Sequence, residues 1–163
     1  MTNLAVPIQI AYVARDFQAM EDALARQFGV KKWFRNYNWA TDPSRTQWMG
    51  KPASFVVNQS LTYVGDLQLE VIAPVSGDDN PYEEFLRTSG PGLHHLCIEV
   101  EDLDKAVRDY ASEGVEAVFS LDIPGMGRYG YVRAPGSGSA LLELAQISAE
   151  VKKHFEAMKA ECR

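Results

Sequence analysis

Residues 8–13 and 94–100 read as strands, with Ile8, Ile10 and Tyr12 on one face of the first and Leu96 and Ile98 on one face of the second, and each stretch is closed by an aspartate, Asp16 or Asp102. A period of two is the pattern of a strand with one face buried. Directly after each aspartate the period changes. Phe17, Met20, Leu24 and Phe28 recur at helical spacing in the first place, and Leu103, Ala106, Val107 and Tyr110 in the second. Asp16 and Asp102 stand where N-caps belong, and Gly29 and Gly114 close the two helices at 17–28 and 103–113 with the left-handed conformation that glycine tolerates. The chain therefore repeats itself, 86 residues apart from Asp16 to Asp102 and 85 apart from Gly29 to Gly114.

Each helix is followed by three β-rich stretches: 32–37, 54–58 and 66–73 in the first half, 116–121, 129–133 and 140–145 in the second. The unit is β-α-β-β-β, used twice. The expected fold class is α+β, two tandem modules at 7–74 and 92–146 building one curved, eight-stranded mixed sheet. The stretch between them, 75–91, is rich in Gly, Pro, Asp and Ser, holds a short helical piece at 82–88, and reads as a linker. Val151, Phe155 and Met158 share one face of a terminal helix at 148–162, expected as an appendage to one domain spanning 1–163. Two connections, 35–52 with Tyr37, Trp39 and Trp48, and 124–130 with three glycines, are long enough to serve as lids or binding loops.

Composition narrows the function. With 163 residues, 46% hydrophobic and 23% charged, the chain has the make-up of one folded domain. Its net charge of −6 has the wrong sign for a phosphate backbone or an anionic bilayer, so neither nucleic acid nor membrane is the expected partner. Residues 1–4 show no basic start or apolar block of a secretory leader, no stretch is long enough to span a bilayer, and Cys97 and Cys162 lack any metal or disulfide spacing. The expectation is a cytoplasmic protein with reduced thiols.

The candidate chemistry lies on the strand faces that look away from the helices. Gln9 shares its face with Ala11 and Val13, Glu70 with Gln68 and Ile72, His95 with Cys97 and Glu99, and Glu143 with Leu141 and Ala145. Taken singly, each is an ordinary polar residue in a strand. Together they occupy matching positions: Gln9 and His95 in the first strands of the two modules, Glu70 and Glu143 in the last. A carboxylate inside an apolar strand is costly unless it is paired or bound to a cation. One pseudo-twofold axis would bring three oxygens and one nitrogen to a point, a ligand set for a divalent ion with open positions: Zn, Ni, Co, Mn or Mg. His94 is expected to pack toward a helix or hydrogen-bond a carbonyl, His154 to lie on a solvated helix face, Glu99 to line the cleft mouth and Cys97 to fill space.

On these residues the sequence resembles the vicinal oxygen chelate superfamily, which includes glyoxalase I, methylmalonyl-CoA epimerases, extradiol dioxygenases and bleomycin-resistance proteins. The resemblance runs from about Pro7 to Gln146. It is strongest to methylmalonyl-CoA epimerases, through Leu69-Glu70-Val71-Ile72-Ala73-Pro74, Gly92-Leu93-His94-His95-Leu96-Cys97-Ile98-Glu99-Val100 and Leu141-Leu142-Glu143-Leu144. It implies the glyoxalase-like fold, metal ligation by Glu70, His95 and Glu143, and homodimers. Gln9 stands where such epimerases carry a histidine, and the order Gln, Glu, His, Glu resembles the ligand set of human-type glyoxalase I. Residues 53–58 hold no acid to match the second catalytic glutamate of those epimerases, which leaves Glu143, with Glu70 second, as the base.

The expected activity is that of a metal-dependent isomerase, epimerase or lyase that removes a proton beside a chelated carbonyl of a small molecule and passes through an enolate or enediolate. Two alternatives remain open. One is a metal-free binding protein of the bleomycin-resistance kind, holding an aromatic ligand under Tyr37, Trp39 and Trp48; the other is an iron-dependent ring-cleaving dioxygenase, for which Gln9 removes one histidine of the usual triad.

Overall fold

A computed structural model of the chain describes residues 5–163; the leader reading of residues 1–4 lies outside the described residues. The first module runs β1 (Gln9–Val13), α1 (Phe17–Phe28), β2 (Phe34–Ala40), β3 (Thr46–Trp48), β4 (Lys51–Pro52), β5 (Phe55–Val64) and β6 (Leu67–Gly77). After α2 (Pro81–Ser89) come β7 (Gly92–Glu99), α3 (Leu103–Ser112), β8 (Glu116–Ile123), β9 (Gly127–Arg133), β10 (Leu141–Ile147) and α4 (Ala149–Glu161).

The two caps act as the sequence predicts. The Asp16 carboxylate accepts from Ala19 N at 3.0 Å and that of Asp102 from Lys105 N at 2.9 Å, each satisfying a free amide of the first helical turn. Both helices lie on the outer face of the sheet. Leu24 of α1 is 1% exposed, and α3 packs Leu103, Ala106, Val107 and Tyr110 on Ile98, Val132 and Leu144.

All strands join one curved sheet in the order β2-β5-β6-β1-β7-β10-β9-β8-β3-β4. Each module's first strand lies parallel to its last, β1 on β6 and β7 on β10, and β1 meets β7 antiparallel at the pseudo-twofold. The sheet has ten strands, not eight. The additional pair, β3 and β4, comes from the stretch read as a loop. Thr46 and Trp48 are buried while Gln47 between them is exposed, an alternation too short to stand out in sequence. A two-residue turn with positive φ at Met49 and Gly50, 50° and 77°, closes this hairpin. It crosses from the first module to pair with β8 of the second, so the two outer edges of the curved sheet are strapped together.

Strand ends also shift. β5 continues to Val64 rather than ending at residue 58, because Ser60 and Thr62 turn one way into buried positions while Gln59 and Leu61 turn toward the cleft. β6 continues into the expected linker as far as Gly77. A Cβ at Gly77 would lie 2.5 Å from Phe55 Cα and from the Ser54 carbonyl, and its φ is 113°, so the crossing of β6 over β5 admits only glycine. Inside the curve, one end is filled by Val13, Trp48, Phe55, Phe119 and Tyr131, with Tyr82 and Phe85 of α2 packed among them. Among the described residues no helix is long and apolar enough to cross a membrane.

Candidate functional site

Next to that apolar plug the inner face of the sheet encloses a cavity of about 540 Å³. Strand register fixes what reaches it. Ala11 of β1 stands beside Glu70 on one side and His95 on the other, and Glu143 stands beside Cys97 and Tyr131. Alternation then projects Gln9, Glu70, His95 and Glu143 toward the same point from four adjacent strands.

Gln9, Glu70 and Glu143 each approach His95. His95 Nε2 lies 3.1 Å from Glu143 Oε2, 3.2 Å from Gln9 Oε1 and 3.5 Å from Glu70 Oε2. All four are buried, His95 completely and Glu143 to 8% exposure. Neighbours that sequence reasoning missed hold them in place. Gln59 Nε2 donates to Glu70 Oε1 at 2.5 Å, and Gln9 Nε2 donates to Gln68 Oε1 at 2.6 Å. Gln68 in turn donates to the Tyr63 hydroxyl at 2.9 Å. The available signal was single long polar side chains on otherwise apolar inward faces: Gln59 between Val57 and Leu61 of β5, and Gln68 beside Glu70 of β6.

Cys97 differs from expectation, and His94 does more than expected. Cys97 is not inert filling: its thiol points at Glu143 Oε1, 3.5 Å away, and burial followed by the charge of Glu143 pushes its pKa far up, so it stays protonated. His94 does pack against a helix, with ring centroids 5.2 Å from Tyr82 and 5.0 Å from Phe85 of α2, and its Nδ1 also meets His95 Nδ1 at 2.8 Å. Burial holds His94 well below the ordinary histidine value, so it is the neutral acceptor of the His95 N–H. His95 behaves oppositely. Burial disfavours its charged form, but the charge of Glu143 and the hydrogen bonds to Glu143 and Glu70 prevail and lift it to about 9.

Of the predicted loop aromatics, Trp48 is a core anchor at 5% exposure, Tyr37 sits exposed against Phe17, and Trp39 faces the cavity. Glu99 and His154 lie at the cavity rim.

Among the described residues, no three His, Cys, Asp or Glu side chains stand as a ready-made ion cage; the groups close on one another instead. The donor types, three oxygens and one nitrogen, are those that a divalent ion takes. Adjacent ligands of an octahedral ion at about 2.1 Å are about 3 Å apart, close to the 3.1 to 3.5 Å separating the three oxygens from His95 Nε2. Two buried carboxylates also face one histidine, leaving negative charge that a cation would neutralise.

The sequence profile of the Glyoxalase/Bleomycin resistance protein/Dioxygenase superfamily matches residues 8–129. The chain belongs to this superfamily. Its resemblance to methylmalonyl-CoA epimerases is borne out by relatives of that name. The mitochondrial methylmalonyl-CoA epimerase of Dictyostelium discoideum is 34% identical over 77 residues, 42% of this chain and 46% of that protein. The chain thus spans about half the length of the curated relatives it matches. The crystal structure of methylmalonyl-CoA epimerase from Mycobacterium tuberculosis superposes with a TM-score of 0.64 over 94% of this chain and 95% of that one, at 19% identity. A methylmalonyl-CoA epimerase in complex with methylmalonyl-CoA and NH4+ superposes with a TM-score of 0.59 over 90% and 97% of the two chains, at 16% identity. At these identities the superpositions establish the glyoxalase-like fold.

Proposed function

We propose that this superfamily member is a metal-dependent epimerase or isomerase that moves a proton on the carbon beside a substrate carbonyl. The observation that carries the reading is the approach of Gln9, Glu70 and Glu143 oxygens to His95 Nε2 at 3.1 to 3.5 Å inside the cleft. Gln9, Glu70, His95 and Glu143 would hold a divalent ion. Such an ion supplies positive charge beside the substrate carbonyl, lowering the cost of the negative oxygen that proton loss creates.

Glu143 is the base. Glu70 has one oxygen tied to Gln59 and the other near His95, whereas Glu143 carries only the weak thiol donor of Cys97 besides His95. Its carboxylate is the freer of the two to take a proton from a bound substrate and return it to the same face, or to the opposite face once the planar enolate has turned over in the cavity. The apolar walls exclude water from the carbanionic intermediate. Tyr131 flanks Glu143 across the β9–β10 pair, and its hydroxyl is held 2.9 Å from that of Tyr82, which fixes the wall behind the base. The relatives' substrate, methylmalonyl-CoA, has the same reacting unit, an acidic C–H beside a carbonyl with a second oxygen in reach.

The test couples metal analysis of the purified chain to deuterium exchange followed by proton NMR, with hydroxyacetone and methylmalonyl-CoA as substrates. Stoichiometric divalent metal and catalysed exchange at the α-carbon of at least one of the two compounds are expected. Glu143→Gln lowers that exchange by about a hundredfold or more with the fold retained. Unchanged exchange in the variant removes Glu143 as the base, and no exchange with either compound removes the reaction.

A further inference from the structure

Helix α4, expected as an appendage, closes one end of the cleft. It leaves β10 of the second module, caps itself with Ser148, whose hydroxyl accepts from Val151 N at 3.2 Å, and crosses toward the first module. Ion pairs pin it on both sides: Lys152 to Glu99 at the end of β7, Lys159 to Asp66 at the β5–β6 turn at 3.3 Å, and Glu161 to Lys32 ahead of β2. Met158 and Val151 are driven into the structure, at 4% and 7% exposure, and half-buried Phe155 faces the cavity together with Phe34, Leu61 and Ile147.

The charges around this enclosure are arranged against one class of substrate. Arg35, Lys152 and Lys159 are the lysines and arginines among the described residues that line the cavity. Each already has a carboxylate partner: Glu21 at 2.6 Å, Glu99, and Asp66 with Glu156 at 3.0 Å. Asp66, Glu70, Glu99, Glu143 and Glu156 line the same space. A nucleotide phosphate needs uncommitted cations or free amide donors. Here it would meet cations that already face carboxylates, and no lysine or arginine among the described lining residues without such a partner.

We propose that α4 is the substrate-selecting wall of the cleft, and that the site takes a compact carbonyl compound with an apolar, preferably aromatic, body rather than a nucleotide-bearing thioester. The inference rests on the reading of the site as a carbonyl-binding centre. The reacting carbonyl lies against the Gln9, Glu70, His95 and Glu143 cluster, and the hydrocarbon body lies between Phe155 of α4 and the Phe34–Leu61 wall.

The probe is 6-propionyl-2-(dimethylamino)naphthalene, a neutral aryl ketone whose emission shifts to the blue in apolar surroundings. It is titrated into the full-length chain, both EDTA-treated and zinc-loaded. Saturable binding with a blue shift is expected in both forms. Phe155→Ala should weaken it about tenfold, the loss of a large apolar contact, while Phe155→Leu should retain most of it, which separates a packing wall from mere helix stability. Propionyl-CoA at millimolar concentration should not displace the probe. Absence of binding, displacement by propionyl-CoA, or equal affinity of wild type and Phe155→Ala overturns the proposal. The deuterium-exchange assay reads the catalytic centre separately: probe binding without exchange on any compound condemns the reaction, and exchange on methylmalonyl-CoA condemns the selecting wall whether or not the probe binds.

Discussion

His94 and His95 are sequence neighbours whose rings meet through their Nδ1 atoms at 2.8 Å, one inside an aromatic cluster and the other inside the polar one. Because His94 is held neutral, its Nδ1 lone pair accepts the His95 Nδ1 proton and fixes which His95 nitrogen faces the carboxylates. Replacing His94 with phenylalanine keeps a ring against Tyr82 and Phe85 but removes the acceptor. We expect His94→Phe to weaken zinc affinity about 10- to 100-fold, read by competition with a chromogenic chelator, and His94→Asn to recover part of it. Affinity equal to wild type would show that His95 is oriented by its strand alone.

The raised pKa of His95 sets a pH dependence for the ion-free protein. Its folded value, about 9, exceeds the ordinary 6.5, so the stabilisation from its charged form is complete below about 6.5 and disappears as the pH rises through about 9. The melting temperature of EDTA-treated protein should fall across that interval, and Glu143→Gln should flatten the fall by removing the leading partner of the imidazolium. Ion binding needs the neutral imidazole, so zinc loading at neutral pH should release a proton, measurable in weakly buffered solution. A flat melting profile would mean that His95 is neutral throughout.

Tyr82 and Tyr131 place their hydroxyls 2.9 Å apart in the plug behind the site, with burial pushing both phenols upward, so each remains a neutral hydrogen-bonding group. Tyr131→Phe strands the Tyr82 hydroxyl in an apolar setting and should cost about 1–3 kcal/mol in urea unfolding. The double Phe variant removes both polar groups and should lose less than the sum of the single changes. Additive losses would indicate that the two hydroxyls find other partners.

Much of this architecture is legible in the chain because it is said twice. Asp16 and Asp102, Gly29 and Gly114, and the alternation around Gln9 and His95 are local patterns, and their repetition supplies the pseudo-twofold that local patterns cannot give alone. That is why four residues scattered over more than a hundred positions were readable as one cluster. What was not legible depends on distance in space. The β3–β4 hairpin is a strand pair only because β8 of the other module is there to receive it. Gln59 and Gln68 read as ordinary strand polars until register sets them against Glu70 and Gln9. Helix α4 announces an apolar stripe but not the surface that the stripe covers.

Glu21 and Arg35 join α1 to the edge strand β2, and their pairing bears on the cavity because β2 carries Phe34 and Trp39 into its wall. The Glu21 side chain is 1% exposed, and Arg35 grips it with Nε at 3.0 and 3.1 Å and a terminal nitrogen at 2.6 Å. A buried carboxylate stripped of its guanidinium partner is worse than no carboxylate at all, since the desolvation penalty stays when the attraction is removed. Arg35→Met should therefore destabilise by about 3 kcal/mol, with looser packing of β2 reported by Trp39 fluorescence. Adding Glu21→Leu should recover most of that loss, because an apolar pair satisfies a buried position without an orphaned charge. If the double variant is as unstable as the single one, the guanidinium acts by packing its stem against β2 rather than by neutralising Glu21.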